Sequence, residues 1–248
     1  MMESPGQKAL LRRDGFTFKH FFAAHDRCAM KVGTDGVLLG AWAPLCPSPR
    51  RILDIGTGCG LIALMLAQRT GEGVIIDALE LDDAAAAQAA ENCALSPWGD
   101  RTRVIHDNIL TYALSSTERY ELIVSNPPYF PVGIPCRDIG RDRARSTTTL
   151  THEHLLDAAR RLLRPEGLFM LVLPLSIGEQ LIFQARRQRW FVRYRTEVAD
   201  NPGKSPHRIL LGLSPTEGET CYSALTLRDG DRAYSAAYRA LTADFYLG

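Results

Sequence analysis

The stretch RILDIGTGCGLIALMLAQR, residues 51–69, changes its pattern midway. Residues 51–55 read as a buried strand, and the segment from Gly60 to Arg69 reads as a helix that starts on glycine. Between them Asp54, Gly56, Gly58 and Gly60 fall at alternate positions on a strand-to-helix turn. Glycine suits such a turn because a backbone without Cβ takes positive φ and approaches a ligand closely. The helix behind it presents free N–H groups and a positive dipole end. A polar cofactor fits that description. The dinucleotide fingerprint spaces its glycines G-x-G-x-x-G, whereas this turn reads G-x-G-x-G and has Leu61 where the third dinucleotide glycine would stand. The spacing favours S-adenosylmethionine over NAD.

Outward from this turn, strands alternate with helices, the sequence form of an α/β fold with a parallel sheet covered on both faces. Strands are expected near 51–55, 74–80, 103–106, 120–125, 167–173, 190–197 and 206–213. Helices are expected near 60–69, 82–94, 151–163, where Pro165 and Gly167 force a stop, and 176–188. Upstream, residues 16–42 mix aromatic with basic side chains and end in a loop leading to a short helix capped by Asp35. The Pro-rich segment 44–50 makes a boundary, and the tail from Cys221 holds a short apolar run and a terminal helix.

Each strand end contributes polar groups. Glu80, followed by Leu81, ends the second strand and is placed to accept hydrogen bonds from ribose hydroxyls, with Asp82 as a rival for that role. Asp107 and Asn108 follow the third strand, where they either meet an adenine amino group or cap a helix. The most specific signal is SNPPY, with Asn126, Pro127, Pro128 and Tyr129 directly after the apolar strand YELIVS. Two prolines after Asn fix a stiff turn at the carboxyl edge of the sheet, where open α/β folds bind ligands. Asn126 offers a side-chain carbonyl, Pro127 a backbone carbonyl and Tyr129 a flat ring, which together hold a planar group bearing an NH₂. An NAD-dependent oxidoreductase would explain the glycine turn and Glu80 but not SNPPY.

Composition is that of a folded protein, 46% hydrophobic and 23% charged over 248 residues. No secretory h-region or bilayer-length apolar run is present, and six scattered cysteines form neither C-x-x-C pairs nor zinc-ligand spacings. Reduced thiols, no metal, no membrane and a cytoplasmic location are the expectation, and no heptad or apolar stripe departs from a monomer. The net charge of +1 hides segregation: segments 1–31, 137–145 and 186–208 carry +3, +2 and +5. Such stretches suit an anionic partner such as RNA.

The glycine turn with N-P-P-Y resembles the Rossmann-like class I methyltransferases that act on planar amino groups of adenine, guanine or glutamine, over residues 14–215. The resemblance implies a mostly parallel seven-stranded sheet whose last strand is antiparallel. FTFKHFFAAHDRCAMKVGTDGVLLGAWAP, SNPPYF with ARSTTTLTHEHLL, and PHRILLGLSP narrow it to the bacterial tRNA(Val) (adenine-N6)-methyltransferases, which act on adenine 37 of the anticodon loop. That likeness implies one methyltransferase domain, with 1–48 helping to cover the cofactor, 49–215 as the core and 216–248 as an appendage. It implies S-adenosylmethionine on Asp54, Gly56, Gly58 and Gly60, with Glu80, Leu81, Asp107, Asn108 and Asn126 completing the site. It also has Lys31, Gly33, Thr34 and Asp35 folding over the methionine end, and tRNA(Val) as partner. Release-factor glutamine methyltransferases share the N-P-P-Y turn but carry a longer helical N-terminal domain, and DNA adenine methyltransferases carry a target-recognition domain for which no room remains.

Overall fold

A computed structural model describes residues 14–45, 49–128, 150–230 and 233–247. Two three-residue strands, β1 (Gly15–Thr17) and β2 (Phe22–Ala24), form an antiparallel ribbon. Helix α1 (Thr34–Trp42) follows, and then β3 (Arg51–Ile55), α2 (Leu61–Arg69), β4 (Ile75–Glu80), α3 (Asp83–Ala94), β5 (Thr102–His106), α4 (Ile109–Ser115) and β6 (Tyr120–Ser125). The second half contains α5 (His152–Leu162), β7 (Leu163–Pro174), α6 (Leu175–Arg187), β8 (Phe191–Ala199), β9 (Arg208–Ser214), β10 (Cys221–Thr226) and α7 (Ala236–Thr242).

The main sheet has the order β10-β8-β9-β7-β6-β3-β4-β5. The seven expected strands are present, with β9 antiparallel to both β7 and β8. An eighth strand not read from the sequence, β10, pairs in parallel with β8 and extends the edge. From β3 the chain runs outward through β4 to β5 and then returns to place β6 on the other side of β3. The gap between β3 and β6 is therefore the topological switch point, where adjacent connections diverge and leave a crevice.

Alternation along the strands divides the core between two faces. Leu53, Ile123, Leu171 and Leu211 pack with α4, α5 and α6. Ile52, Leu122, Val172 and Leu210 pack on the opposite face with α1, α2 and α7. A third cluster joins the aromatic ribbon residues Phe18 and Phe21 to Leu61, Leu64 and Met65 of α2, with Cys93 of α3. Strands buried on both faces need continuous apolar runs, which is why ILDI, LIVS and FMLVL read as they do.

One helix-end expectation is corrected. Asp35 does not cap α1: the N-cap is Gly33, without a side-chain cap bond, and Asp35 lies in the first turn, where Arg208 Nε donates to its carboxylate at 3.0 Å. The Arg208 guanidinium, at the start of β9, draws the carboxylate away from the helix N–H groups. The helix N-terminus at Asp82 caps as the sequence suggests, with Ala85 N donating to Asp82 Oδ1 at 3.0 Å. No helix among the described residues is long and apolar enough to cross a membrane, and no cluster of His, Cys, Asp or Glu there is built to hold a metal.

Candidate functional site

Three left-handed glycines shape the turn after β3: Gly56 at φ 70°, Gly58 at 58° and Gly60 at 85°. A Cβ on Gly56 or Gly58 would meet nothing within 4 Å, so the turn faces open space. Its back is anchored to β4, with Gly56 N and Thr57 N both donating to Leu79 O at 2.9 and 3.0 Å. The backbone is thus fixed from behind and bare in front, the form that admits a ligand to main-chain contact.

Asp54 is fully buried beneath this turn. Thr57 Oγ1 donates to its Oδ2 at 2.6 Å and Ala63 N does so at 3.2 Å, while Oδ1 has no partner. Burial pushes the carboxyl up to about 7; the Thr57 and Ala63 donations pull down, and the charge of Glu80 adds to the rise. A buried oxygen without a donor costs about 1–3 kcal/mol, so Asp54 Oδ1 is a place where a cationic donor is stabilised.

Glu80 faces the same turn. Gly58 N donates to its Oε2 at 2.9 Å, and Leu81 N and Asp82 N both donate to Oε1 at 2.9 Å. These bonds hold the carboxylate beside the glycines, half-buried, while Asp82 is committed to its helix. Leu81 is exposed. After β5, Asn108 caps α4 by accepting from Leu110 N at 2.9 Å, and Asp107 Oδ1 accepts from Asn108 N at 2.6 Å. The capping alternative for Asn108 is therefore realised, and Asp107 is half-buried beside it.

Across the switch point, Ser125 Oγ donates to Ile55 O at 2.8 Å and ties the end of β6 to the end of β3. Asn126 follows directly. Its Oδ1 is buried and accepts no hydrogen bond. Pro127 is buried, Pro128 is exposed, and Tyr129 lies outside the described residues. Two orphaned side-chain oxygens, on Asp54 and Asn126, thus stand on neighbouring strands at one edge of the sheet.

The segment 24–36 comes over this edge from the ribbon. Asn92 of α3 accepts from Ala24 N at 3.1 Å and donates to Ala24 O and Cys59 O, both at 2.8 Å. One turn earlier, Gln88 accepts from Arg27 N at 2.9 Å and donates to Asp26 at 2.7 Å. These two amides, at i and i+4 in an alanine-rich helix, clamp the segment to the glycine turn. Sequence reading passed over them; amides at helical spacing among alanines were the available signal. His25 tightens the loop, its Nδ1 accepting from Val32 N at 3.2 Å while Nε2 faces Asp14 Oδ1 at 3.3 Å. Lys31 pairs with Asp14, and Gly33 and Thr34 are exposed at the start of α1. Cys28 Sγ donates to Gln88 Oε1 at 3.3 Å, and the proximity of Cys59 of the turn raises the Cys28 thiol.

The family model described as "Methyltransferase small domain" matches residues 37–189. The chain is 56% identical over 240 residues to a tRNA1(Val) (adenine(37)-N6)-methyltransferase of Erwinia tasmaniensis, covering 97% of this chain and 98% of the relative. It is 54% identical over 247 residues to the protein of that name from Pectobacterium carotovorum, covering 100% and 99%. Among solved structures it is similar to a predicted O-methyltransferase from Agrobacterium tumefaciens, with TM-score 0.67 and 17% identity over 85% of this chain and 96% of that one. A glycopeptide N-methyltransferase complexed with S-adenosylmethionine matches with TM-score 0.53 and 16% identity, over 73% and 94%. Those two structures bear on the fold.

Proposed function

The chain belongs to the tRNA1(Val) (adenine(37)-N6)-methyltransferase family, and we propose on that premise that it methylates the N6 amino group of adenine 37 in tRNA1(Val). The observation that carries the reading is the buried, unpartnered Asn126 Oδ1 at the switch point, one strand away from the glycine turn.

The residues fit S-adenosylmethionine. Gly56 and Gly58 leave the space a Cβ would fill, and Asp54 Oδ1 is an acceptor without a donor. Glu80 rather than Asp82 serves the ribose hydroxyls, since Asp82 already caps α3 and Glu80 is held against Gly58. Asp107 and Asn108 border the adenine, and Lys31, Gly33, Thr34 and Asp35 cover the methionine end. When bound, the cofactor supplies an electrophilic methyl on a cationic sulfur and departs as a neutral thioether.

Everything else is positioning. The N6 lone pair of adenine is delocalised into the ring, so the protein must aim it. Asn126 Oδ1 and the Pro127 carbonyl accept the two N6 hydrogens, which raises electron density on nitrogen and orients it in line with the methyl. Pro128 stiffens the turn, and Tyr129 stacks on the base. Positioning of this kind contributes up to ~7–11 kcal/mol. The N6 proton becomes acidic as the C–N bond forms and passes to water, so no general base is needed. The adenine must leave its stack, at a cost of about a few kcal/mol that is lowest for an unpaired loop base. A tRNA substrate places the protein in the cytoplasm.

The test is incubation of the purified protein with labelled S-adenosylmethionine and unmodified tRNA, followed by nucleoside mass analysis. N6-methyladenosine at position 37 is expected; label confined to an added release factor would transfer the assignment to glutamine methylation. Asn126→Ala should lower kcat by about 100-fold with the cofactor Kd little changed. Near-normal turnover would remove Asn126 from its role.

A further inference from the structure

At the sheet edge opposite the glycine turn, where α5 and α6 end and β8 and β10 begin, lies a cavity of 680 Å³. Arg160, Arg186, Arg189 and Arg195 line it against one carboxylate, Glu217, together with Trp190 and Tyr222. We propose that this cavity binds the sugar-phosphate backbone of the tRNA outside the anticodon arm, as a second contact separate from the methyl-transfer pocket.

Three features point to an anionic, base-bearing occupant. First, the charge is unspent. Arg195 shares one nitrogen between Glu179 and Glu197 at 2.6 Å each, but Arg186 and Arg189 form no ion pair among the described residues. Arg160 lies over the Trp190 ring at 5.3 Å and donates to Arg189 O at 3.1 Å, with no carboxylate partner among the described residues. Second, Trp190 is 2% exposed and its Nε1–H has no acceptor. A buried donor beside free guanidinium groups is satisfied by an oxyanion. Third, Tyr222 is 71% exposed and offers the cavity a ring on which a base can stack.

The backbone points the same way. Arg189, φ 59°, is the one non-glycine residue with positive φ among those described. It follows the last turn of α6, the position at which helices place glycine to enter the left-handed region. An arginine at a glycine position sacrifices local stability and sets a guanidinium on the cavity wall.

Strand geometry sets the distance. With a rise of ~3.3 Å per residue, the nine residues of β8 separate the two edges by roughly 25–30 Å. An RNA with its adenine in the Asn126 turn reaches this cavity only with nucleotides well away from the loop. A whole tRNA is long enough to span both sites. The inference rests on the tRNA reading given above.

The experiment compares the parent with Arg189→Gly and Arg186→Ala, using fluorescence anisotropy on whole tRNA and on the anticodon stem-loop, together with methylation kinetics on each. Arg189→Gly relieves the strained φ, so its melting temperature should hold or rise. Each variant should weaken whole-tRNA binding roughly tenfold at about 0.15 M salt and lower the salt slope by about 1, with stem-loop binding and cofactor Kd unchanged. Whole-tRNA affinity within twofold of the parent in both variants overturns the proposal, as does equal weakening on the stem-loop. AMP binding that the variants abolish, with tRNA affinity intact, also overturns it by making the cavity a free-nucleotide site. If the parent binds tRNA but methylates none of it, the function reading fails, while anisotropy still decides the cavity.

Discussion

Asp54 supplies the sharpest test of how the cofactor site works. Its carboxyl is fully buried and raised to about 7, so near neutral pH it is half protonated in the free protein. A cation that donates to Oδ1 requires the carboxylate and pulls its pKa down. The observed affinity then scales with the deprotonated fraction, and is about elevenfold below its plateau at pH 6 and within about 10% of it at pH 8. At pH 7 about half a proton should be released on binding. The assay is calorimetric titration of S-adenosylmethionine at pH 6, 7 and 8 in buffers of different ionisation enthalpy, with parent and Asp54→Asn in parallel. The α-amino group of the ligand, with a pKa of ~7.7–8.0, titrates against both proteins, so the difference between them is the measurement. The other groups facing Asp54 are Glu80 on β4, Thr57 and Cys59 in the turn, and Cys93 on α3, whose thiol burial pushes up to about 11. Stability has the opposite sign from affinity. A carboxyl raised above its unfolded value of 3.8 costs nothing below that pH; the penalty accrues as pH rises from about 4 to about 7 and then levels at ~4 kcal/mol. Asp54→Asn should therefore match the parent only below about pH 4, gain on it between about pH 4 and 7, and exceed it by roughly 1–3 kcal/mol at pH 8, the remainder being lost to its unpartnered amide N–H. If parent and variant show the same affinity profile and proton release, Asp54 does not hold the cation.

Three further outcomes follow from the same geometry. Gly58→Ala should lower stability by about 1–2 kcal/mol through its φ of 58° and weaken the cofactor Kd at least tenfold, because the added methyl enters the open front of the turn; calorimetry reads both. Asn92→Ala removes three hydrogen bonds and orphans Ala24 and the Cys59 carbonyl, so it should destabilise by about 2–4 kcal/mol in urea and raise cofactor Kd as the overlying segment loosens. Asp77→Ala strips Arg51 and Tyr120 of a buried partner at the far edge of the sheet, and should cost about 3–5 kcal/mol while leaving cofactor Kd unchanged in the folded fraction.

How legible each part was depended on whether its cause is local. The glycine turn could be read because three left-handed positions need glycine for steric reasons that act within a few residues. The stop of α5 at Leu162 could be read because Pro165 forbids continuation nearby. Asp35 misled because a cap depends on what else attracts the carboxylate, and its partner Arg208 lies 173 positions away. The ribbon strands are three residues each, and their phenylalanines pack on α2 rather than alternating between two faces of a sheet, so no period of two appears. Strand β10 was missed because its apolar run is short and most of its residues are open to solvent, unlike the long buried runs of its neighbours. Gln88 and Asn92 were passed over because what buries them is the returning N-terminal segment, far away in sequence.

The two ends of the chain form one support beneath the cofactor edge. Phe16 and Phe18 of the ribbon meet the ring of Tyr246 at 5.8 and 6.1 Å, and Lys19 N donates to Phe245 O at 2.8 Å. Gln68 at the end of α2 donates to Asp244 O at 2.7 Å, so the tail is tied to the helix that the glycine turn begins. Phe245 is 1% exposed within the same cluster as Leu61 and Met65. The ribbon is too short to be stable by itself, and a two-stranded hairpin needs a surface on which to pack. That surface is made jointly by α2 and the C-terminal segment. Residues 24–36 are therefore held at one end by the ribbon on this aromatic cluster, at the other by α1 packed on α2, and in the middle by Gln88 and Asn92. A segment fixed at three points arrives over the glycine turn already ordered. That limits the conformational entropy lost when a ligand is enclosed, and it explains why residues so far apart in sequence serve one site.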